Sequence, residues 1–226
     1  MYKGTEDHRA QVALRTIRRA GEHGHRIVVI DNSPQEVKDI LSRAGALVLQ
    51  DIGRTYGQGI RQAIRSAKDI ATAEERFIAR IEPEKDTFVE FLKSMTRHQI
   101  TIPRRASLLS YPELQQYAEK MGNEAFRIMT CRALDMWFGP RVFSLAGAEF
   151  FLNYDGKYED KWDAIFIPVV RAIVAGVDVG EEVVDFTYPA EQLTAEKDSR
   201  EMVLKRLGQL DNLIPAISQE CTALGL

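Results

Sequence analysis

Residues Arg26 to Ile30 form a short run dominated by β-branched side chains, closed by Gly24 on one side and by Asp31-Asn32-Ser33 on the other. Such a run reads as a fully buried parallel strand. Ser33-Pro34-Gln35-Glu36 follows as a helix opening, with Ser33 placed to cap, Pro34 in the first turn and Glu36 able to reach back. A cap of this kind is worth about 1 kcal/mol. A helix carrying Val37, Ile40 and Leu41 inward then ends at Gly45, and Ala46 to Leu49 reads as a second buried strand.

The alternation continues in both directions. Before the first strand, Thr5-Glu6-Asp7 opens a helix with Ala10, Ala13, Leu14 and Ile17 on one face. After the second, Asp51 to Gly59 leads into a helix bearing Ile60, Ala63, Ile64 and Ala67. Phe77, Ile78 and Ile81 form a third strand, Glu82-Pro83-Glu84 a turn, and Phe88, Phe91, Leu92 and Met95 one side of a further helix. Gln99 to Pro103 is another short strand, with a loop from Arg104 to Ser110. Helix and strand in this order predict an α/β chain with a mostly parallel sheet covered by helices on both faces. Ligands of such sheets sit beyond the carboxyl ends of the strands. Asp31, the Gly53–Gly59 loop and Glu82–Glu84 all stand at such ends.

The second half is less regular. A helix from Tyr111 to about Met121 is expected to break at Gly122 and resume through Phe126 and Met129. Trp137 to Phe143 reads as a loop into a strand, Leu145 to Leu152 as a helix, and Ile165 to Ile173 as an apolar helix marked by Pro168. Val177 to Tyr188 reads as a strand or hairpin. From about Glu191 the tail is helical. Val203, Leu207, Leu210, Ile214, Ile217, Cys221 and Leu224 alternate by four and three, the spacing of a seam, and Pro215 is expected to kink it. The seam fits packing back on the chain's own core, or a homodimer through the C-terminal helix.

Bulk properties exclude several classes. The chain has 226 residues, 45% hydrophobic and 28% charged, and can bury a sizeable core. Its net charge of −3 with no basic run argues against a nucleic-acid partner. The polar residues 1–10 are not a signal peptide, and no apolar run is long enough to span a bilayer. Cys131 and Cys221 read as reduced thiols of a cytoplasmic protein. The four histidines show no metal-ligand spacing. Two acids one residue apart at a strand end, as in Glu82 and Glu84, suit a hard cation such as Mg²⁺ or Mn²⁺, and equally suit a polar turn.

In this order of elements the chain resembles the nucleotide-binding half of a GT-A fold glycosyltransferase, family-2-like. The resemblance covers about residues 5 to 175, and the order of motifs carries it. It implies a domain over residues 1–190 and a helical appendage over 191–226. It implies a nucleotide-diphosphate sugar donor, an unknown hydroxyl acceptor and assistance by Mg²⁺ or Mn²⁺. Asp31 matches the aspartate that binds the base, while Gly53, Arg54 and Gly57 match the loop near the diphosphate. Glu82 and Glu84 stand where the family's Asp-x-Asp holds the metal. Gly139 and Arg141, with Trp162, correspond to the acceptor side, and Asp160 or Asp163 to the catalytic base. The chemistry is consistent: a departing nucleoside diphosphate needs its charge neutralised, and an acceptor hydroxyl needs a carboxylate for its proton.

Two departures stand out. The family begins with a strand beneath the base, whereas Met1-Tyr2-Lys3-Gly4 is too short and polar to be that strand in full. The acids are Glu rather than Asp. Both favour the alternative of a non-catalytic GT-A-like binding or assembly domain. A nucleotidyltransferase on a doubly wound sheet would need a Gly-rich, basic loop after its first strand, and the sequence has none.

Overall fold

The computed structural model describes residues 2–196 and 199–226. The chain folds in the order α1 (His8–Glu22), β1 (Ile27–Asp31), α2 (Gln35–Arg43), β2 (Ala46–Gln50), α3 (Tyr56–Asp69) and β3 (Phe77–Arg80). A 3₁₀ segment (Asp86–Ser94) leads to β4 (Ile100–Arg105), α4 (Glu113–Thr130), β5 (Arg141–Ser144), α5 (Leu145–Leu152), α6 (Asp163–Val174) and β6 (Val179–Val184), followed by α7 (Ala190–Glu196) and α8 (Arg200–Leu224).

Local sequence sets several helix starts. Asp7, rather than Thr5, caps α1, accepting from the Arg9 N–H at 2.9 Å. Thr55 caps α3 and Ser144 caps α5, each accepting from a backbone N–H three residues on. Ser33 does not cap α2. Its hydroxyl accepts from the Tyr2 N–H at 2.7 Å and donates to Asp31 at 2.8 Å, so it ties the amino end of the chain to the end of β1.

The strands form two sheets. β1 and β2 pair in parallel. The other sheet has the order β3-β5-β4-β6, in which β5 runs antiparallel to both neighbours and β4 and β6 are parallel. Side chains nevertheless tie the starts of β1 and β3 together. Arg26, just before β1, pairs with Glu75, just before β3. At their other ends, Ser33 holds Tyr2 while Arg9 of α1 holds Glu84. No backbone hydrogen bond joins β1 to β3.

Three packed clusters hold these layers. α1 and α2 cover the β1–β2 pair through Ala10, Leu14, Val37 and Leu41. The larger sheet alternates as strand geometry requires: Val142 of β5 joins Phe88, Phe138 and Phe186 on one face, and the next residue, Phe143, joins Phe151, Ile165 and Val169 on the other. β1 and β2 are not the fully buried strands their composition suggests. Ile27 to Ile30 are half-exposed and Leu47 is 42% exposed. One edge of β1 opens onto a cleft, and β2 is an edge strand.

Two further expectations change. α4 runs unbroken through Gly122, because the indole of Trp137 lies against that helix; a Cβ there would come within 2.5 Å of the ring. The helical tail packs back on the chain's own core, one of the two courses its spacing allows. α8 packs on α4 and α6, and Leu210, Leu213, Ala216, Ile217 and Cys221 enter the main core. Most of the seam is thus consumed within the chain, whereas Leu207 and Leu224 remain exposed. α8 continues through Pro215, which lies on the exposed side where water can take the carbonyl its missing N–H leaves free. Cys131 and Cys221 are free thiols. No helix of the described residues is long and apolar enough to cross a membrane.

Candidate active site

The carboxyl ends of β1, β2 and β3 open on one cleft of about 1640 Å³, which also reaches between β1 and β3. Asp31 ends β1. It is 7% exposed, and Oδ1 takes the Ser33 hydroxyl while the buried Oδ2 has no hydrogen-bond partner. Buried polar atoms are nearly always paired, so an acceptor left open in a cleft marks a place for an incoming donor.

Beyond β2, Asp51 accepts from the Gly53 N–H at 2.8 Å and shapes the turn into α3. A Cβ at Gly53 would meet the backbone nitrogen of Gly59 at 2.9 Å, which explains the small residue. Arg54 is exposed at the cleft rim, its N–H bonded to Gln58 at 2.8 Å. Gly57 is not at the cleft. Its N–H donates to the Asp160 carbonyl at 2.8 Å, and the Asp160 side chain occupies the space a Cβ would take.

At the end of β3 the two glutamates are already engaged by cations. Glu82 lies 3.0 Å from the Lys85 ammonium and 3.8 Å from Arg80. Burial pushes its carboxyl up, but Lys85 and Arg80 outweigh that and hold it at about 2. Glu84 is held by Arg9 through Nε at 2.7 Å and through Nη2. Among the described residues, no three His, Cys, Asp or Glu side chains gather as a metal-binding set. Both carboxylates of the expected metal centre, Glu82 and Glu84, are thus held in ion pairs in this structure.

Asp160 and Asp163 do not stand as bases over the cleft. Arg61 grips Asp160 with both Nη atoms, at 2.6 and 2.8 Å, and Thr55 donates to it as well. Hydrogen bonding to Arg61 holds its carboxyl below the ordinary range. Asp163 is fully buried, accepting from the Tyr154 hydroxyl at 2.5 Å and from the Lys161 N–H at 2.6 Å, and burial raises its pKa. It does not line the cleft.

The acceptor-side residues divide similarly. Gly139 lines the cleft, with Glu82 occupying the space where its side chain would be. Its carbonyl accepts from Arg80 at 2.9 Å. Trp162 lines the cleft while packing on the main core. Arg141 is 0% exposed and does not line the cleft. It donates to the carbonyls of Met136 and Pro140, both at 2.7 Å, and of Phe138, thereby fixing the loop before β5. Burial and the neighbouring Arg80 push its pKa down to about 9.

Three cations that sequence reasoning did not single out, Arg80, Lys85 and Arg206, also line this cleft. Arg80 donates to the Tyr56 hydroxyl at 2.5 Å. Lys85 lies 5.0 Å above the Phe138 ring. Arg206 reaches in from α8, 3.9 Å from Glu119, with its buried Nε unpartnered. Deeper still, Arg105 is clamped between Glu119 at 2.5 Å and Asp135 at 2.7 Å. Arg80 and Lys85 flank the acidic pair and could have been read from that stretch. The part played by Arg206 depends on how α8 packs, which no local pattern shows.

No family model matches the chain, and no curated protein gives a significant match. A solved structure does resemble it: glucosyl-3-phosphoglycerate synthase from Mycobacterium tuberculosis in complex with Mn²⁺, uridine diphosphate and phosphoglyceric acid. The two share 10% sequence identity and superpose with a TM-score of 0.54, over 94% of this chain and 75% of the other. The chain has a GT-A-like α/β fold with a helical C-terminal tail.

Proposed function

We propose that the chain is a glycosyltransferase that moves a sugar from a nucleoside-diphosphate sugar to a hydroxyl acceptor. The observation that carries this reading is the pairing, across one cleft, of an open carboxylate oxygen on Asp31 with the cations Arg80, Lys85 and Arg206. The likeness to a glycosyltransferase that binds uridine diphosphate supports it at the level of fold. Asp31 Oδ2 would accept an N–H of the base. Arg54 at the rim would meet the diphosphate, and Arg80, Lys85 and Arg206 would neutralise the charge that grows on it as the glycosidic bond breaks. Gly139 and Trp162 would border the sugar and the acceptor.

The solved neighbour holds Mn²⁺. In this chain a divalent cation would have to displace Lys85 from Glu82 and Arg9 from Glu84 before either carboxylate could bind it. The proposal therefore gives leaving-group neutralisation to the side-chain cations. With Asp160 and Asp163 both occupied, a domain that binds nucleotide without turnover is the alternative these contacts favour. Incubation with a panel of nucleoside-diphosphate sugars, read as released nucleoside diphosphate, separates the two. Release above background that falls at least tenfold in Lys85→Ala supports transfer; binding without release supports the alternative.

A further inference from the structure

The carboxylates that line the cleft differ in what holds them. Glu75 is paired with Arg26, Glu82 with Lys85, Glu84 with Arg9, Glu119 with Arg105 and Glu159 with Lys161. A carboxylate held by a cation is stabilised as the anion and is a poor proton acceptor. Among the described residues, the others that line the cleft, Asp31, Asp51, Glu196 and Glu201, enter no ion pair with another residue of the cleft. Asp31 is open toward a base, Asp51 shapes the turn into α3, and Glu201 is exposed on the first turn of α8. Glu196, the last residue of α7, remains.

Its setting suits a positioned base. The Tyr188 hydroxyl donates to Oε2, and the Gln192 side-chain amide donates to Oε1 at 3.1 Å. Both donors are neutral. They orient the carboxylate, and each oxygen keeps a second lone pair for a further donor. The Tyr188 ring lies 4.4 Å, centroid to centroid, from that of Tyr111. Tyr111 is 3% exposed and lines the cleft, and its hydroxyl has no hydrogen-bond partner. Arg206 Nε is buried and unpartnered as well. Buried polar atoms are nearly always paired, so these two open groups mark a polar subsite beside Glu196. The charge of Arg206 acts on Tyr188 and also on Glu82 at the end of β3, lowering the pKa of each. The subsite therefore adjoins the cations that would meet the diphosphate.

We propose that Glu196 is the general base of the transfer, and that the acceptor hydroxyl binds beside it, in the subsite marked by Tyr111. This rests on the transfer reading above, and it supplies from α7 the base that Asp160 and Asp163 do not provide. The proton of the acceptor hydroxyl passes to the Glu196 carboxylate. The acceptor oxygen bonds to the anomeric carbon, the bond from that carbon to the phosphate oxygen breaks, and its electron pair leaves with the nucleoside diphosphate. Tyr188 and Gln192 are positioning residues. The acceptor that suits this subsite is a polyol or a sugar, with a second oxygen to accept from the Tyr111 hydroxyl.

The test is release of nucleoside diphosphate by the full chain, with glycerol as acceptor and, as donor, the nucleoside-diphosphate sugar that gives the greatest release. Glu196→Gln keeps the side chain's size and can still accept from Tyr188, but it cannot take up the proton. It should lower kcat by about 100-fold or more, within the range that general-base catalysis supplies, with the donor KM unchanged. The rise in melting temperature with uridine diphosphate should equal that of the parent chain, which separates a lost base from a lost fold. Glu196→Ala should fall as far, and added formate, a small carboxylate, should raise its rate about tenfold while chloride does not. A glutamine variant within about tenfold of the parent, or one that loses the uridine diphosphate shift, would overturn the assignment and leave the transfer reading standing. So would an alanine variant that formate does not rescue. A parent chain that releases nothing above background with any donor would overturn both.

Discussion

Arg61 and Asp160 are joined by two hydrogen bonds, at 2.6 and 2.8 Å, and this pair seats the loop before α6 on the amino end of α3. Asp160 and its neighbour Glu159 both have left-handed backbones, with φ of 57° and 72°. Each such non-glycine residue costs on the order of 1–3 kcal/mol, so the conformation needs a clamp to hold it. The carboxylate that looks like a catalytic base in the sequence is that clamp.

Asp160→Asn should therefore lower stability by roughly 1.5–3 kcal/mol at neutral pH, the usual range for a lost charge-assisted bond. The pH dependence has a definite sign. Arg61 depresses the folded pKa of Asp160, so the stabilisation is present above the unfolded value near 4 and disappears as pH falls through the folded one. Thermal melts of wild type and variant should differ most near pH 7 and draw together as the pH falls through the lowered folded pKa of Asp160. A gap that persists in acid would show that the Arg61 pair is not its source.

Gly122→Ala sets two effects against each other. Alanine gains about 1 kcal/mol of helix propensity. The new methyl would stand 2.5 Å from the Trp137 indole, and overpacking of that kind costs about 1–3 kcal/mol. The ring is wedged against Phe166, with centroids 4.7 Å apart, and has little room to move. A net loss of stability in chemical denaturation is expected, together with a change in Trp fluorescence; a gain would mean that the indole yields.

The buried triad of Arg105, Glu119 and Asp135 should be intolerant of one-sided change. Burial disfavours the Arg105 cation, but Glu119 and Asp135 outweigh that and raise its pKa. Removing the cation alone, as in Arg105→Met, leaves two carboxylates facing each other with side chains 1% and 9% exposed. A cost of about 3–5 kcal/mol is expected from urea melts. Arg105→Lys should recover only part of it, since an ammonium cannot reproduce the forked contacts.

How much of this was legible in the sequence depends on the range of the interaction. The strand at Ile27–Ile30, the helix beginning at Gln35 and the helix over Leu145–Leu152 follow from runs and periods a few residues long, and all three formed, although β1 is not fully buried and Ser33 does not cap the helix. The cleft at the ends of β1, β2 and β3 followed from their alternation with helices. Partners distant in sequence were not legible. Nothing near Asp160 signals Arg61, and nothing near Glu84 signals Arg9. Arg141 reads as an acceptor-side residue in the sequence, and β5 places it in the core. An acidic residue reads identically whether it is free or gripped by a cation from another element, and here the difference decides which residues can act.

The proposed function rests most directly on whether Asp31 Oδ2 receives a nucleotide base. The decisive measurement is the melting temperature of the full chain with saturating uridine diphosphate, for wild type and Asp31→Asn, each with and without Mn²⁺. At a ligand concentration of one hundred times Kd, a site present only in the folded state adds about 2.7 kcal/mol, or roughly 5–10 °C for a chain of this size. The account predicts that rise in wild type with or without Mn²⁺, and its loss in Asp31→Asn. No rise with any nucleoside diphosphate, or a rise that Asp31→Asn leaves intact, would contradict it.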